Sequence, residues 1–520
     1  MKKVFFILLC LITAFATHAQ GLRIDSTRFY CNSNPTTFEQ ITDIIQTKDG
    51  GFFFTGVAAK PGGGILPSCP GSGRNPVMGK LDSLGNIEWI KNFCDTPVWA
   101  STVCQTADGG YAINGGTYPW NSMSIFRYDA MGNYLWRRDY GKNAGSGTLQ
   151  FITTPDNGFL MLGFATERDS DVLVTYDYPP GAFPTIDWVL MKLDSLGNKQ
   201  WVRTLGTSDA ELNARVICDG KNYYLIGATT SKDHDCADVT GHPGVAVYTI
   251  KLDSVGNVLW SKAHGSAFVS KAIYDERDNS ILVTGRTNNG GPEFAGIPTH
   301  GYDDIFLMKL DTAGNFKWGN LYGTSGNELD GSSLCKAPNG GYFITANASN
   351  TLTPTQLISV DSNGQIIQHR KFSNQYGYIA RYIFPYKNSF CLFGEAFGTQ
   401  APEGTGQNCL ANTFFGGSRA LTFSTLSVVP LSVTEAPTST AVFTLSPNST
   451  RNSVEIRFED AHSKGVLTAT NAEGKLVFQQ RVAAGKEQLN INTTSWPAGA
   501  YLVCFQPDGK PSPCQKLIVQ

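Results

Sequence analysis

Five copies of one eight-residue motif, Asp-x-x-Gly-Asn-x-x-Trp, constrain the fold of this chain more than any other feature. Successive copies begin 47 to 65 residues apart, and a sixth, degenerate copy follows them. A period of this length, built only from strand and turn signals, is typical of the blades of a propeller. The five copies are residues 82–89, 129–136, 194–201, 253–260 and 311–318, and the sixth is 361–368.

A second repeated segment precedes each motif copy and predicts an inner hairpin. In residues 44–56, two apolar runs are separated by Asp49, Gly50 and Gly51, which favour a tight turn. The Asp-x-x-Gly-Asn-x-x-Trp motif then supplies an outer hairpin, because Gly and Asn accept the positive φ of a turn. We expect the repeated Trp to pack between adjacent blades. Further inner hairpins are residues 103–115, 152–163, 216–227, 273–285, 334–345 and 383–394.

The count of hairpins predicts how the ring closes. Seven inner hairpins meet six outer ones, and residues 419–428 supply one further strand. Residues 23–30 precede the first inner hairpin, so we predict that they complete the last blade and remove its exposed edge. The fold class predicted for residues 20–428 is all-β, a seven-bladed β-propeller.

The composition and the strand pattern of the sequence change after Val428. Residues 429–440 are rich in Ser, Thr and Pro and have the composition of a linker. Residues 441–520 contain short alternating strands about ten residues apart, a spacing typical of a β-sandwich. We therefore predict a small C-terminal Ig-like β-sandwich as a second domain.

The first 19 residues have the pattern of a secretory signal peptide. Lys2 and Lys3 form a positive end, residues 4–14 form a short apolar core, and Ala19 is the small residue before the expected cleavage site. We expect export to the periplasm and then a secreted or outer-surface location. Cys10 lacks the preceding small residue of a lipoprotein signal, and we predict neither a lipid anchor nor a membrane span.

The charge balance excludes one class of partner. The chain has 41 Lys and Arg against 43 Asp and Glu, with no basic stripe. Nucleic-acid binding depends on clustered cations that neutralise phosphates. We therefore predict no nucleic-acid partner.

The chain has 12 cysteines, of which 11 remain after removal of the signal peptide. Export permits disulfides, and the odd count leaves at least one thiol free or paired between molecules. Cys504 with Cys514 is the first predicted pair, and Cys94 with Cys104 the second. Alternatively, several cysteines are buried as small hydrophobic residues.

Two pairs of acidic residues are candidates for catalysis. Glu211 with Asp209, and Glu328 with Asp330, occupy matching connections between blades and could act as acid and base at the central channel. Because both connections repeat the pattern, we favour a structural role in which these carboxylates tie blades together. We predict no catalytic residue.

The segment 231–242 holds the densest set of possible metal ligands. It lacks the Gly and Glu of an EF-hand, so a solvated acidic loop is the favoured interpretation and no cofactor is predicted. Bound Ca²⁺ remains the alternative. The candidate oxygen ligands are Asp233, Asp235 and Asp238, and the candidate nitrogen ligands are His234 and His242.

Four insertions lie between the inner and outer hairpins. They share one face with the connections between blades, and variable loops on a rigid scaffold are where binding sites are usually built. Neutral growth of loops is the alternative. Tyr118, Trp120 and Tyr178 could stack on sugars or could simply be packed. The insertions are residues 58–75, 165–185, 229–244 and 286–302.

The repeats resemble the bacterial surface propeller repeats called SBBP. The shared phrases are Gly-x-Ser/Thr-x-x-x-Glu, Asp-Gly-Gly-Tyr and Lys-Leu-Asp-Ser-x-Gly-Asn-x-x-Trp, and they cover most of residues 21–428. The resemblance implies a propeller and brings no catalytic residues with it.

The tail resembles the type A sorting domain of cargo of the bacterial type IX secretion system. The residues that carry the resemblance are 446–448, 471–477, Trp496 to Val503 and 516–519. It implies passage across the outer membrane, with the type IX machinery as a partner and release or surface attachment afterwards.

Together these features predict a secreted or cell-surface protein with a recognition, adhesion or scaffold role. An extracellular glycan or a surface protein would be its ligand. The alternative is a propeller enzyme, a hydrolase or lyase acting on extracellular glycans. Propellers host both kinds of function, so the fold alone does not separate them.

Overall fold

The computed structural model contains strands and one short 3-10 helix, Pro292–Phe294, and no α-helix within the residues that it describes. The predicted all-β class is therefore confirmed for these residues. They are 20–30, 38–59, 74–92, 98–117, 122–141, 147–165, 171, 186–207, 211–230, 235, 245–323, 328–338, 340–348, 356–371, 378–386, 389–396, 420–430, 443–447, 449–458, 464–471, 476–507 and 514–520.

The first 28 strands form seven four-stranded sheets. Their bounds in chain order are β1 Gln20–Tyr30, β2 Phe38–Gln46, β3 Phe52–Ala59, β4 Arg74–Leu81, β5 Ile87–Asn92, β6 Val98–Gln105, β7 Tyr111–Thr117, β8 Met123–Tyr128, β9 Tyr134–Tyr140, β10 Gly147–Thr153, β11 Phe159–Ala165, β12 Asp187–Leu193, β13 Lys199–Leu205, β14 Leu212–Cys218, β15 Tyr223–Thr229, β16 Ala246–Leu252, β17 Val258–His264, β18 Ser266–Asp275, β19 Ser280–Gly290, β20 Asp304–Asp311, β21 Phe316–Tyr322, β22 Glu328–Lys336, β23 Tyr342–Ala348, β24 Gln356–Val360, β25 Ile366–Lys371, β26 Tyr378–Tyr386, β27 Ser389–Ala396 and β28 Ala420–Pro430.

Six of these sheets take four consecutive strands in chain order, from sheet 1 (β2 to β5) to sheet 6 (β22 to β25). Sheet 7 has the order β1-β28-β27-β26, so the N-terminal strand is the outermost strand beside the last strand of the series. The segment predicted to occupy this place, residues 23–30, lies within β1.

The antiparallel order separates two kinds of connection. Turns joining the first to the second strand, and the third to the fourth, lie at one edge of each sheet, here called the turn edge. Connections joining the second to the third strand, and those leading to the next sheet, lie at the opposite edge, here called the loop edge. All four insertions therefore leave the sheets at the loop edge.

Adjacent sheets pack face to face, and the last sheet packs against the first. In sheet 1 the buried residues Ile44 and Phe52 contact Cys391 and Phe393 of sheet 7. The phenolic OH of Tyr382 in sheet 7 donates to the carbonyl of Thr42 in sheet 1 at 2.8 Å. Burial of apolar side chains between sheets is the main force available to hold such an arrangement together. The other sheet pairs share equivalent apolar clusters or a ring contact.

Each motif Trp packs on the glycine of the next motif copy. A Cβ built on Gly197 would stand 3.0 Å from the ring of Trp136, and Gly197 has φ of 79°. Glycine is thus needed both for the turn and for the ring. The prediction that Trp packs between neighbouring sheets is confirmed. The equivalent pairs are Trp89 with Gly132, Trp201 with Gly256, Trp260 with Gly314, and Trp318 with Gly364.

A buried cation in the third strand pairs with an Asp in the first turn of the same sheet. Lys80 has a side chain 4% exposed, and its Nζ lies 2.9 Å from Asp49 Oδ2. Burial raises the pKa of Asp49, but hydrogen bonds from Thr47 and Lys80 outweigh it and lower the pKa to about 2. Equivalent pairs join Arg127 to Asp108, Lys192 to Asp156, and Lys309 to Asp278.

The last eight strands form two sheets around one core, which includes Val454, Leu467 and Val503. One sheet has the order β29-β31-β34 and the other β30-β36-β35-β32-β33. Contacts divide the chain into two compact units, one of Leu22–Ser427 and one that contains Val428–Gln520. The bounds are β29 Phe443–Ser446, β30 Ser449–Thr450, β31 Ser453–Phe458, β32 Gly465–Asn471, β33 Leu476–Val482, β34 Gln488–Asn492, β35 Gly499–Pro507 and β36 Cys514–Val519.

The cysteines divide into bonded and free. Cys504 is disulfide-bonded, and the backbone of Cys514 lies opposite it in strand register, so the bond between these two cysteines stays a prediction that the register favours. The second predicted pair is wrong, because Cys104 is a buried free thiol, and Cys94 lies outside the described residues. The side chain of Cys104 is buried in the cluster between sheets 2 and 3, where an apolar environment favours the thiol. No helix in the described part of the chain is long and apolar enough to cross a membrane.

Candidate functional site

The first strands of the seven sheets surround a cavity of about 1190 Å³. Each of these strands carries a register shift of the β-bulge type, which re-aims the side chain that follows it. The residues directly after the last such shift in each strand are Asp43, Thr102, Gln150, Arg215, Lys271, Ser333 and Tyr382, here called the bulge residues.

Six bulge residues join their own sheet to the next one by a hydrogen bond to the backbone. Two modes occur, because carboxylate, amide and hydroxyl oxygens accept from an N–H, whereas Arg and the Tyr hydroxyl donate to a carbonyl. The bonds are Val103 N to Asp43 Oδ2 (2.8 Å), Phe151 N to Thr102 Oγ1 (3.1 Å), Val216 N to Gln150 Oε1 (2.8 Å), Arg215 Nε to Ser270 O (2.7 Å), Ile383 N to Ser333 Oγ (3.3 Å) and Tyr382 OH to Thr42 O (2.8 Å).

The charge on the described cavity wall is positive. Five cationic residues and two carboxylates line it. Lys336 and Glu276 pair with each other near the turn edge. Burial raises the pKa of Asp43 to about 6, although the charges of Lys271 and Arg215 oppose the shift. The remaining cations of the wall are Lys48 and Arg381.

Glu211 lies at the loop edge between sheets 3 and 4 and is not among the residues that line the cavity. Its side chain accepts a hydrogen bond from Thr207 Oγ1 at 2.6 Å, and its N–H donates to the carbonyl of Ile186. Burial raises the pKa of Glu211 to about 9; the Thr207 hydrogen bond opposes this and the Asp187 charge adds to it. Glu211 is therefore uncharged at neutral pH and bridges two sheets.

The positions of the other three acidic candidates relative to Glu211 are not described. Asp209 lies outside the described residues, as do the side chains of Glu328 and Asp330. The enzymatic alternative requires an acid and a base at the central channel. Glu211 supplies neither of them there, because it does not line the cavity. The sequence missed Asp187, whose carboxyl approaches Glu211 from the start of a third strand 24 residues earlier in the chain.

Of the five candidate metal ligands, only Asp235 lies among the described residues, and it forms hydrogen bonds within the protein. Asp235 Oδ2 accepts from Gly206 N at 3.1 Å, and Tyr248 OH donates to the Asp235 carbonyl at 2.9 Å. Asp233, Asp238, His234 and His242 lie outside the described residues. Among the described residues, no three His, Cys, Asp or Glu side chains are grouped to hold a metal ion.

The fourth insertion, residues 286–302, is anchored at both ends. Phe294 is buried in the apolar cluster of sheets 4 and 5, and Glu293 Oε2 accepts from Gly265 N at 2.8 Å. At its end, Asp304 Oδ2 accepts from His300 N at 2.8 Å. Between these anchors Tyr302 is 74% exposed. An ordered loop thus presents a large aromatic side chain at the loop edge.

The aromatic residues singled out from the sequence, Tyr118, Trp120 and Tyr178, lie outside the described residues. Tyr302 was missed, although it belongs to an insertion that the sequence did identify. Its exposure depends on how Phe294 and Asp304 fix the loop, which the sequence pattern does not reveal.

Residues 444–520 match the family model of the secretion system C-terminal sorting domain. This match confirms the predicted sorting domain and supports the assignment of the protein as cargo of the type IX secretion system. The machinery of that system is accordingly a partner of the tail. The match also indicates export to the outer surface or the extracellular space.

Between 62% and 78% of the chain is similar to three solved structures at low identity. Hydrazine synthase of Kuenenia stuttgartiensis is 11% identical over 62% of this chain and 97% of its own, with a TM-score of 0.35. A Dyadobacter fermentans protein of unknown function is 10% identical over 78% and 99%, with a TM-score of 0.37. A europium-containing methanol dehydrogenase is 10% identical over 73% and 80%, with a TM-score of 0.39. These scores assign no function. No curated protein matches the chain.

Proposed function

We propose that the protein is a secreted or surface-displayed seven-bladed β-propeller that recognises an extracellular ligand through its loop edge. In this proposal residues 1–19 are a signal peptide, residues 20–428 form the propeller, and residues 429–440 are a linker. Residues 441–520 form an Ig-like sandwich that serves as the sorting signal for secretion. The role would be recognition, adhesion or scaffolding, and the repeats would be relatives of the SBBP type.

The observation that carries this proposal is the anchored insertion that exposes Tyr302. Phe294, Glu293 and Asp304 already hold the loop in place, so Tyr302, which is 74% exposed, has only its side-chain freedom left to lose on binding. Tyrosine offers both an apolar face and a hydroxyl, and it is enriched at binding interfaces. A rigid scaffold that carries such loops is a common binding platform.

The proposed ligand is an extracellular glycan or a surface protein. Aromatic rings stack on the apolar faces of sugars, and Tyr302 lies at the same edge as the other three insertions. Binding to such a ligand would not require ionisable groups of unusual pKa at the surface.

The test is a binding screen with the purified full chain on glycan and polysaccharide arrays and on isolated surface proteins. Tyr302→Ala is compared with Tyr134→Ala, a matched control that is 52% exposed on an outer hairpin. We expect Tyr302→Ala to weaken binding at least tenfold and the control to leave it unchanged. Binding that is equal in both variants would contradict a site at this loop.

A second candidate is an enzyme acting on extracellular glycans, and Glu211 is the observation that favours it. A carboxyl group that stays protonated at neutral pH can serve as a general acid. Each ligand found in the screen should therefore be assayed for product release. If the wild type releases product and Glu211→Gln does not, the function is catalysis and not recognition.

A further inference from the structure

Lys271 differs from the other six bulge residues. Among the described residues it is the one bulge residue with no hydrogen bond to a neighbouring sheet, since the six bonds described above begin or end at the other six. Its ammonium group can only donate, so it cannot accept from an N–H of the next sheet as Asp43 and Thr102 do. The side chain is half-buried in the cavity wall.

The carboxylate of Asp43, which faces the same cavity, already accepts hydrogen bonds from two backbone N–H groups. Asp43 Oδ1 accepts from Ile44 N at 2.9 Å, and Asp43 Oδ2 accepts from Val103 N at 2.8 Å. Burial lowers the pKa of Lys271, and the charge of Asp43 opposes this shift, but the two side chains form no direct ion pair within the described residues. Lys271 thus lacks a contacting counter-charge from the described protein.

The other charges near Lys271 do not supply that counter-charge. Arg215 and Arg381 are cations on the same wall, and Glu276 is paired with Lys336. A buried charge is costly unless an opposite charge or hydrogen-bond acceptors compensate it. A ligand that brings an anionic group to Lys271 would provide this compensation.

We propose that the central cavity binds a small organic molecule through a carboxylate or phosphate group, with Lys271 as its main charge partner and Arg215 and Arg381 beside it. The volume of about 1190 Å³ exceeds what an inorganic ion needs and is slightly above the range of typical ligand pockets. Leu149, Ile152 and Ile273 on the wall offer apolar contacts for the rest of the molecule. The site is separate from Tyr302 and does not depend on ligand recognition at the loop edge.

The test measures binding of defined anions to the purified full chain by calorimetry in a chloride buffer. The probes are inorganic phosphate, a sugar phosphate, acetate, citrate and glucuronate, so that the carboxylate and phosphate arms are separated. We expect binding of at least one organic probe. Lys271→Met should weaken it at least tenfold, and Lys271→Arg should keep it within a few fold because the charge remains.

Two further variants keep the result interpretable. Lys262→Met removes the same charge from a half-buried lysine that bonds Asn315 on an outer hairpin, and it should leave binding unchanged. Asp43→Asn removes the opposing carboxylate and should tighten binding severalfold, whether or not Lys271→Met folds. The proposal is overturned if no probe binds, if Lys271→Met and Lys262→Met behave alike, or if Asp43→Asn weakens binding while the variant stays folded.

Discussion

Trp136 and Gly197 lie in adjacent sheets, and the tryptophan ring occupies the space beside the glycine so closely that a Cβ at Gly197 would stand 3.0 Å from it. The same contact recurs between five pairs of motif copies. A single motif thus supplies a turn to its own sheet and a packing surface to its neighbour. The regular contact explains why Gly and Trp are repeated together.

Gly197→Ala should destabilise the protein more than the same change at Gly220. Both glycines have positive φ, 79° and 90°, which costs a non-glycine residue about 1–2 kcal/mol. A Cβ at Gly220 meets nothing within 4 Å, whereas one at Gly197 meets Trp136 and Arg138. We expect a further loss of about 1–3 kcal/mol for Gly197→Ala, as in overpacked cores. Urea unfolding of both variants measures the difference, and equal losses would show that the ring contact is unimportant.

The Asp49–Lys80 pair should make stability depend on acidic pH. The pKa of Asp49 is lowered to about 2, so its contribution is present above the unfolded pKa of about 4. That contribution is lost as the pH falls from about 4 through 2. Asp49→Asn should therefore lower the melting temperature near pH 6 and have little effect near pH 2.

The double variant Asp49→Asn/Lys80→Met is the control for this pair. It removes the buried lysine that Asp49→Asn would leave without its carboxylate partner, so it should recover part of the lost melting temperature. A gap between wild type and Asp49→Asn that does not narrow toward pH 2 would contradict the ion-pair explanation.

The ionisation of Glu211 should make the protein less stable as the pH rises, which is opposite to the effect of the Asp49–Lys80 pair. Its folded pKa of about 9 lies above the unfolded value of 4.5, so the stabilising protonated form is fully present below about pH 4.5. That stability is lost progressively as the pH rises toward 9. Glu211→Gln should match wild type near pH 4.5 and melt several degrees higher at pH 8, because each pH unit between the two pKa values costs the wild type up to about 1.4 kcal/mol. A lower melting temperature than wild type at pH 8 would show that Glu211 is ionised and paired.

Binding of anions in the central cavity should strengthen as the pH falls. Asp43, with a pKa of about 6, loses its negative charge between about pH 7.5 and 5, while the guanidinium group of Arg215 keeps its charge because arginine does not deprotonate in this range. With a probe whose own charge is constant over this range, we expect severalfold tighter binding at pH 5 by calorimetry. Asp43→Asn should bind with little pH dependence, and an unchanged pH dependence in this variant would place the titrating group elsewhere.

Patterns that act over a few residues were accessible from the sequence. In the motif that begins at Asp194, the carboxylate accepts from Leu196 N and Asn198 N, and Gly197 takes positive φ, so the turn is local. The alternation of apolar residues around it predicted strands. The recurrence of Trp at the same place in each motif copy was enough to predict contact between adjacent sheets.

Contacts across long stretches of chain were not accessible. Asp49 meets Lys80, and Asp43 meets Val103, only because strand register and a bulge aim these side chains at each other. A shift of one residue would send each side chain to the other face of its sheet. For the same reason the approach of Asp187 to Glu211 had no sequence signal.

The sequence by itself determined an all-β chain with repeated hairpins and a sorting tail, because turns and strand patterns are set by neighbouring residues. Only the tertiary structure decided which charges are buried together, that Lys271 faces a cavity without a contacting partner among the described residues, and that Tyr302 is held exposed. These depend on how separate sheets meet, since pKa values and binding geometry follow from burial and from neighbours distant in the chain.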